Sequence, residues 1–370
     1  MAEKPFVLAL VHLAPPVTGV SMMSGMVMGS ERLNRLFELK ALSLRSADSI
    51  DDFGTFRPRK IIKSLSTAIR LLSCCLFEKP DLVYFTLTPN GSAFFRDLVY
   101  VGILKMTATR RLYHLHAKCI PCGMRTPLRK VLCDWAFKDA KVILLSSLLH
   151  EGFFGIVNSR DCFILANGIP DAASPNGNSR VERRPDHPPC ILFLSNIVST
   201  KGPLVLLQAL SQLRRRGFEF TARFAGDWES GGMREAFLRT VRNYGLDSVV
   251  EYCGPKYDHG KFEELRNADL FVFPTCNDTF PLVVLEAMSF SLPVVSTFEG
   301  AIPSIVRDNE TGYLVPVQNA GLLADRVGEL LLDPALRKRF GAAGRKSFEE
   351  HFTFEIFERR LGSIFSQCVH

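Results

Sequence analysis

Two carboxylates, Asp278 and Glu286, stand eight residues apart in the run NDTFPLVVLEAMSFSLPVV (277–295), which is otherwise almost wholly apolar. Burying an unpaired carboxylate costs several kcal/mol or forces it to take up a proton. An ionised acid on an apolar helix face therefore needs a hydrogen-bonding partner. For Glu286 that partner is a sugar or ribose diol, or in the bland case a lysine or arginine. Asp278 reads equally as a helix cap, a role Thr279 can also fill. Pro281 fits the first turn of the helix, where its missing N–H would have had no partner. The free N–H groups and dipole at such a helix start attract anions, phosphate above all. The chemistry on offer is recognition of a phosphorylated, hydroxyl-rich ligand.

Such residues need a frame to hold them, and the rest of the chain supplies one. In the N-terminal half, FVLALVHLA (6–14), DLVYFTL (81–87), RLYHLHA (111–117), KVILLS (141–146) and CFILA (162–166) read as buried strands. Helical patterns separate them, such as RKIIKSLSTAIRLLSCCLF (59–77). FFRDLVYVGILKM (94–106) reads as a buried helix, docking on a membrane being its other reading. After the polar stretch 170–189 a second strand series follows: CILFLS (190–195), FEFTARFAG (218–226), VVEYCG (249–254), DLFVFP (269–274) and LPVVST (292–297). Helices again lie between, including LVLLQALSQLRRR and PLVVLEAMSF, and the tail from Pro334 is helical and amphipathic. Strands alternating with helices imply parallel sheets covered on both faces. The expectation is an α/β protein with two Rossmann-like doubly wound domains, 1–170 and 190–351, joined by a linker at 171–189. Two such domains face each other across a cleft at the carboxyl ends of their strands, where open sheets bind ligands.

Composition sets the outer bounds. The chain has 370 residues, 47% hydrophobic and 22% charged, more than one core usually supports. Solenoid repeats and low-complexity tracts are absent from the sequence. FVLALVHLA ends at Pro15-Pro16 without a small-residue cleavage pattern, so it reads as a strand, not a signal-peptide core. A cytoplasmic protein is expected. The ten cysteines form no framework. Cys119 and Cys122 make one C-x-x-C, read as two neighbouring thiols, with a redox motif as the alternative. Residues 1–170 hold 22 Lys/Arg against 13 Asp/Glu, a net +9, while the remainder carries −2. Basic clusters at RPRKIIK (57–63), Arg110-Arg111 and MRTPLRK (124–130) suit an anionic partner or are simply a solvated surface. Nucleic acid is not expected, because the basic half lacks a recognisable motif with interleaved aromatics.

At Asp278-Thr279-Phe280-Pro281-Leu282, Glu286-Ala287-Met288 and Leu292-Pro293-Val294-Val295 the chain resembles the E-x7-E signature of glycosyltransferase family 4. This family comprises retaining, nucleotide-sugar-dependent enzymes with the GT-B fold. Aspartate stands where the family has its first glutamate, and Pro281 where it has glycine. FLSNIVSTKG (193–202) is similar to the family segment ending in Lys-Gly, with Asn196 where arginine is common. LANGIP (165–170), RFAGDWE, YCGP and NETGYLVP (309–316) fall at expected places, and PPVTGVS (15–21) resembles its glycine loop through Gly19. In YHLHAK (113–118), His116 matches the family histidine better than His114 does.

The resemblance implies transfer of a sugar, with retention, from a UDP- or GDP-sugar to a glycan or lipid-linked acceptor. It implies a front-face route in which the departing phosphate oxygen helps deprotonate the acceptor hydroxyl. Lys201 would pair with the diphosphate, Asp278 orient the sugar hydroxyls, Glu286 the ribose hydroxyls, and His116 face the donor sugar. Gly19, Asn196, Thr279, Phe280, Pro281 and Leu282 complete the donor site. A helix at about 352–370 would cross back onto the first domain. No cofactor is expected, and the lack of an Asp-x-Asp motif implies metal-independent transfer. The setting implied is bacterial surface polysaccharide or glycolipid assembly, with the basic first domain meeting the inner membrane face. The competing readings are a non-catalytic nucleotide-sugar-binding protein and a sugar-nucleotide epimerase.

Overall fold

A computed structural model describes residues 3–44, 58–118, 127–153, 155–173 and 187–369. Two compact units result, one of Met1–Asn167 with Glu355–His370 and the other of Gly168–Phe354.

The first unit runs β1 (Phe6–Val11), α1 (Gly19–Gly29), α2 (Glu31–Leu36), β2 (Glu38–Ser43), α3 (Pro58–Ser73), β3 (Leu82–Phe85) and α4 (Gly91–Met106). It continues through β4 (Arg111–Leu115), α5 (Pro127–Phe137), β5 (Lys141–Leu144) and β6 (Cys162–Ile164). All six strands are parallel, in the order β2-β1-β3-β4-β5-β6. The runs that form β1, β3, β4 and β5 are buried on both faces, as a helix-covered parallel sheet requires, while the edge strand β6 is half-buried with Ile164 exposed. Alternation along the strands divides them. Leu8, Leu10, Val83, Phe85, Tyr113 and Val142 pack toward α3, α4 and α5. Tyr84 and His114, one residue out of phase, meet Phe365 and Phe357 of the last helix.

The second unit runs β7 (Cys190–Leu194), α6 (Pro203–Arg215), β8 (Thr221–Ala225), α7 (Gly231–Asn243), β9 (Val250–Gly254), α8 (Asp258–Arg266) and β10 (Leu270–Phe273). Then come α9 (Leu282–Ser289), β11 (Val294–Thr297), β12 (Gly312–Val315), α10 (Ala320–Leu332) and α11 (Pro334–His351). Its parallel strands lie in the order β12-β11-β10-β7-β8-β9, the doubly wound order with its reversal between β7 and β10. Ser230, Asn319 and Asp333 cap α7, α10 and α11 by accepting from backbone N–H groups. The helical tail expected from Pro334 is α11 followed by α12 (Phe354–Val369), with the break at Phe352-Thr353, where Ile169 bridges to Thr353.

Three expectations shift. β2 lies in ELKALS, whose alternating charges hid an edge strand. The strand expected over 218–226 forms only at Thr221–Ala225. The basic clusters 57–63 and 124–130 lie partly outside the described residues, as does most of the linker 171–189, and Cys119 and Cys122 lie wholly outside them.

Candidate functional site

The reversal between β7 and β10 is where a doubly wound sheet leaves a crevice at its carboxyl edge. Lys201 follows β7 in a single 3-10 turn, Ser199–Lys201, and Gly202 follows in the left-handed region at φ 79°. A Cβ on Gly202 would stand 2.1 Å from the Pro274 carbonyl oxygen, so only glycine lets this turn press against the end of β10. Thr200 O accepts from Cys276 N at 2.8 Å and from Thr275 Oγ1 at 3.1 Å, which fastens the two loops together.

That close approach delivers Lys201 Nζ to Asp278 Oδ2 at 2.6 Å and to the Asn277 carbonyl at 3.3 Å. Both charged side chains are less than a quarter exposed. Asp278 is held from the other side as well. Its N–H donates to Glu299 Oε1 at 3.4 Å, and Thr279 O accepts from Ala301 N at 2.8 Å. Gly300, at φ 54°, leaves room for the Asp278 carbonyl, which a Cβ there would approach to 2.2 Å.

Helix α9 opens immediately after. Its cap residue is Pro281, with no side-chain cap, so neither Asp278 nor Thr279 fills the capping role expected of them. Asp278 is instead committed to Lys201. Pro281 precedes the first helical residue, one position earlier than expected, and Phe280, Pro281 and Leu282 are buried. The uncapped helix start keeps backbone donors for a ligand.

One turn along, Glu286 is 5% exposed and accepts from Lys261 Nζ of α8 at 2.6 Å through Oε1. Its Oε2 is buried without a hydrogen-bond partner among the described residues. Burial raises its pKa above the ordinary carboxylate value, and Lys261 partly offsets that. The lysine alternative for Glu286 is thus met at one oxygen, and the other is open to a hydroxyl donor. Asn196 lies exposed beyond β7.

In the first unit, Gly19 opens α1 behind a capping box in which Thr18 and Ser21 bond reciprocally. His116 follows β4, its ring centroid 4.3 Å from that of His114. His114 itself is buried, with Nδ1 2.6 Å from Tyr84 Oη. His12, after β1, places Nδ1 3.1 Å from Thr86 Oγ1 after β3, at this sheet's own order reversal. Burial, with Arg96 nearby, lowers the His12 pKa to about 4. Burial and the His12 charge lower that of His116 to about 3, so both rings are neutral at pH 7. Beside them the buried Asp97 accepts from Thr88 N at 2.8 Å and pairs with Arg96 at 2.7 Å. Burial pushes the Asp97 carboxyl up to about 6 against the pull of Arg96.

The structure therefore joins Lys201 to Asp278 and places Thr279, Phe280, Pro281, Leu282 and Glu286 on the same segment of the second unit. Gly19 and His116 belong to the first unit. Lys261, Glu299 and Gly300 escaped the sequence reading, since nothing in their local spacing marks them. The Lys-Gly pair alone hinted at Gly202. Among the described residues no group of three or more His, Cys, Asp or Glu is placed to hold a metal ion.

Comparison with known proteins fits this architecture. The chain has the GT-B type of fold, two α/β units each built on a six-stranded parallel sheet. A glycosyltransferase from Rickettsia africae ESF-5 superposes with TM-score 0.76 at 17% identity, covering 99% of both chains. Anabaena HepE in complex with UDP and glucose does so at 0.73 and 15% identity, over 98% of this chain and 100% of that one. Residues 176–347 match the family model described as Glycosyl transferases group 1. WcaL of Escherichia coli (strain K12), whose name places it among colanic acid biosynthesis glycosyltransferases, is 30% identical over 198 residues, 50% of this chain and 47% of WcaL. A D-inositol 3-phosphate glycosyltransferase of Corynebacterium efficiens is 27% identical over 216 residues, 56% of this chain and 51% of that one. The matched region is thus about half the length of these relatives.

Proposed function

We propose that the chain is a retaining glycosyltransferase of family 4 that moves a hexose from a UDP- or GDP-sugar to a glycan or lipid-linked hydroxyl. The observation that carries this reading is the Lys201–Asp278 pair, 2.6 Å apart at the sheet reversal and directly before the uncapped start of α9. A diphosphate seated there meets one ammonium and a set of backbone N–H groups, the preorganised positive environment that stabilises a phosphate leaving group. Asp278, oriented by that ammonium, accepts from sugar hydroxyls. Glu286, bonded to Lys261 through one oxygen, accepts a ribose hydroxyl through the other. His116 is neutral at pH 7 and so serves as a hydrogen-bond partner of the transferred sugar, not as a cation. Charge on the departing phosphate oxygen draws the proton from the acceptor hydroxyl on the same face, and the anomeric configuration is retained. This chemistry assigns no step to a metal or cofactor. The relative named for colanic acid biosynthesis supports an acceptor in polysaccharide assembly, while the one named for D-inositol 3-phosphate would favour a small phosphorylated acceptor.

A panel of UDP-, GDP- and dTDP-sugars tests it by thermal stabilisation, followed by NMR of the transferred sugar. A donor at a hundred times its dissociation constant adds about 2.7 kcal/mol of stability. If no nucleotide sugar stabilises the chain, or the product is inverted, the reading fails. Binding with no transfer to any acceptor points to a non-catalytic binder, and release of an altered sugar nucleotide to an epimerase.

A further inference from the structure

Helix α9 carries both the uncapped start and Glu286, yet it has only eight residues, about 12 Å of rod. So short a helix is held in place by what packs on it, not by its own propensity. One stripe of α11 and its cap packs on both of its ends. Gly341, Arg345, Phe348 and Phe352 recur at spacings of four, three and four, the pattern of a single helix face. A Cβ on Gly341 would stand 2.1 Å from the Ser291 carbonyl oxygen, so α11 presses directly on the turn that ends α9. At the other end the rings of Phe352 and Phe280 meet edge-on, centroids 6.3 Å apart, one residue before the Pro281 cap. From Arg345 to Phe352 the chain advances about 10 Å, close to the length of α9 itself.

Arg345 is the charged member of that stripe, its side chain 20% exposed. Nη1 donates to the Ser289 carbonyl at 2.7 Å and to Asp171 Oδ1 at 2.7 Å, and Nη2 donates to Asp171 Oδ2 at 2.5 Å. Nε donates to Glu349 Oε1 at 2.6 Å. Ser289 is the last residue of α9, and its carbonyl is one that a helix end leaves without an intrahelical partner. Its Oγ donates to the Glu286 carbonyl at 2.8 Å, so Arg345 and the Glu286 backbone are joined through one residue. Asp171 follows Ile169, whose N–H donates to Phe352 O at 3.0 Å and whose carbonyl accepts from Phe354 N at 2.9 Å. The guanidinium thus fastens the end of α9 to a paired segment of chain, and all of these residues belong to the second unit.

We propose that Arg345 is a positioning residue of the donor site: by fixing the last turn of α9 it aims the helix's free amides and Glu286 at the nucleotide sugar. The assignment rests on the glycosyltransferase reading. Well-packed apolar side chains close a buried seam about as stably as an ion pair does. What the guanidinium adds is geometry, because its planar fork holds a carboxylate and a carbonyl in fixed directions at once. Its charge sits at the negative end of the helix dipole, leaving the positive end to the diphosphate. Arg345 itself touches no substrate in this arrangement, and it acts through α9.

Donor binding by calorimetry and release of nucleoside diphosphate, from UDP-glucose, GDP-mannose and dTDP-glucose, test the proposal on the full chain well below its melting temperature. Arg345→Met is expected to lower donor kcat/KM about 100-fold, the scale of a displacement of about 1 Å at the reacting groups. Glu349→Ala is the control: that side chain is 53% exposed and bonds only the outer Nε, so kcat/KM stays within about threefold of wild type. Arg345→Lys keeps a cation beside Asp171, but its ammonium stands one bond short of the Ser289 carbonyl. It should recover the thermal melt while recovering donor kcat/KM only in part, a split that a stabilising role alone does not produce. Arg345→Lys decides the matter even where Arg345→Met does not fold. Arg345→Met with donor kcat/KM within about threefold of wild type and a lowered melt overturns the assignment. So does Arg345→Lys with melt and kcat/KM both fully restored, which leaves the charge and not the fork as the working part. A wild-type chain that binds none of the three nucleotide sugars overturns the transferase reading and this assignment together. One that binds and cleaves a donor beside an unaffected Arg345→Met overturns the assignment alone.

Discussion

Lys201→Ala separates a catalytic role from a structural one. In the folded chain the ammonium bonds Asp278 Oδ2 at 2.6 Å and the Asn277 carbonyl at 3.3 Å, with 24% of the lysine and 17% of the aspartate side chain exposed. A hydrogen bond between charged groups contributes about 1.5–3 kcal/mol when buried, and an exposed pair about 0–1. This partly solvated pair falls between, at about 1 kcal/mol. In a unit of this size that lowers Tm by about 2–4 °C. The loss in transfer is expected to be much larger. Removing one preorganised donor to developing negative charge costs about 10²–10³-fold in kcat, or about 2.7–4 kcal/mol. Steady-state transfer with saturating donor and acceptor, measured beside a circular-dichroism melt, reads both quantities. Asp278→Asn serves as the companion, because in a double-mutant cycle the two stability losses should sum to more than the double variant shows. If Lys201→Ala stays within threefold of wild-type kcat while its melt drops as expected, the pair is a structural clamp and the leaving-group assignment is wrong.

Gly300→Ala forces a Cβ to within 2.2 Å of the Asp278 carbonyl at a φ of 54°, so at least about 1–2 kcal/mol of stability is lost and transfer falls at least tenfold, read by melt and rate assay. Glu286 has a raised pKa in the folded chain, so it takes up a proton on folding and its contribution to stability declines as pH rises through the window above its ordinary value. Donor affinity, which uses the ionised form, should conversely weaken as pH falls into that window, and calorimetry on Glu286→Gln should show a weaker and pH-flat affinity. His12 and His116 are held near 4 and 3, below the unfolded value of 6.5, so only the unfolded chain charges them between those limits. Acidification from pH 6.5 toward 4 should therefore destabilise the first unit by about 1.4 kcal/mol per pH unit for each histidine. Asp97, raised from 3.8 to about 6, opposes this from about pH 6 downward, offsetting about one histidine's share of the slope. Denaturation midpoints against pH should show a shallower slope for His12→Gln than for wild type.

Much of the frame was legible because fully buried parallel strands read as short apolar runs. FVLALV, LVYF, CILFL and LFVF all became strands. The edge strand ELKALS was not legible, since a strand with only one hydrogen-bonded neighbour tolerates charge and loses the signal. Asp278 and Glu286 stood out by chemistry, as charges in an apolar run. Their partners did not. Lys201 lies 77 residues from Asp278, and Lys261 lies on a different helix from Glu286. Such pairings are set by the crossover topology, which local pattern does not encode. The cap was misplaced for a related reason: Asp278 is a good capping residue by propensity, but the stronger attraction of Lys201 takes its carboxylate away from the helix.

The first unit is assembled from two distant pieces of chain. Its sheet spans residues up to Ile164, yet the surface holding Tyr84 and Phe37 is covered by Phe365 of α12, and Leu33 packs against Gly362. The second unit, by contrast, is one uninterrupted stretch, 168–354. During synthesis the later unit can therefore finish folding first, while the earlier one waits, aromatic side chains uncovered, for α12 to leave the ribosome. Any nascent or truncated chain ending before α12 carries that unfinished surface. Recombinant production of the first unit alone must graft 355–370 back onto it, because cutting at the visible boundary near Asn167 yields a sheet with one wall missing.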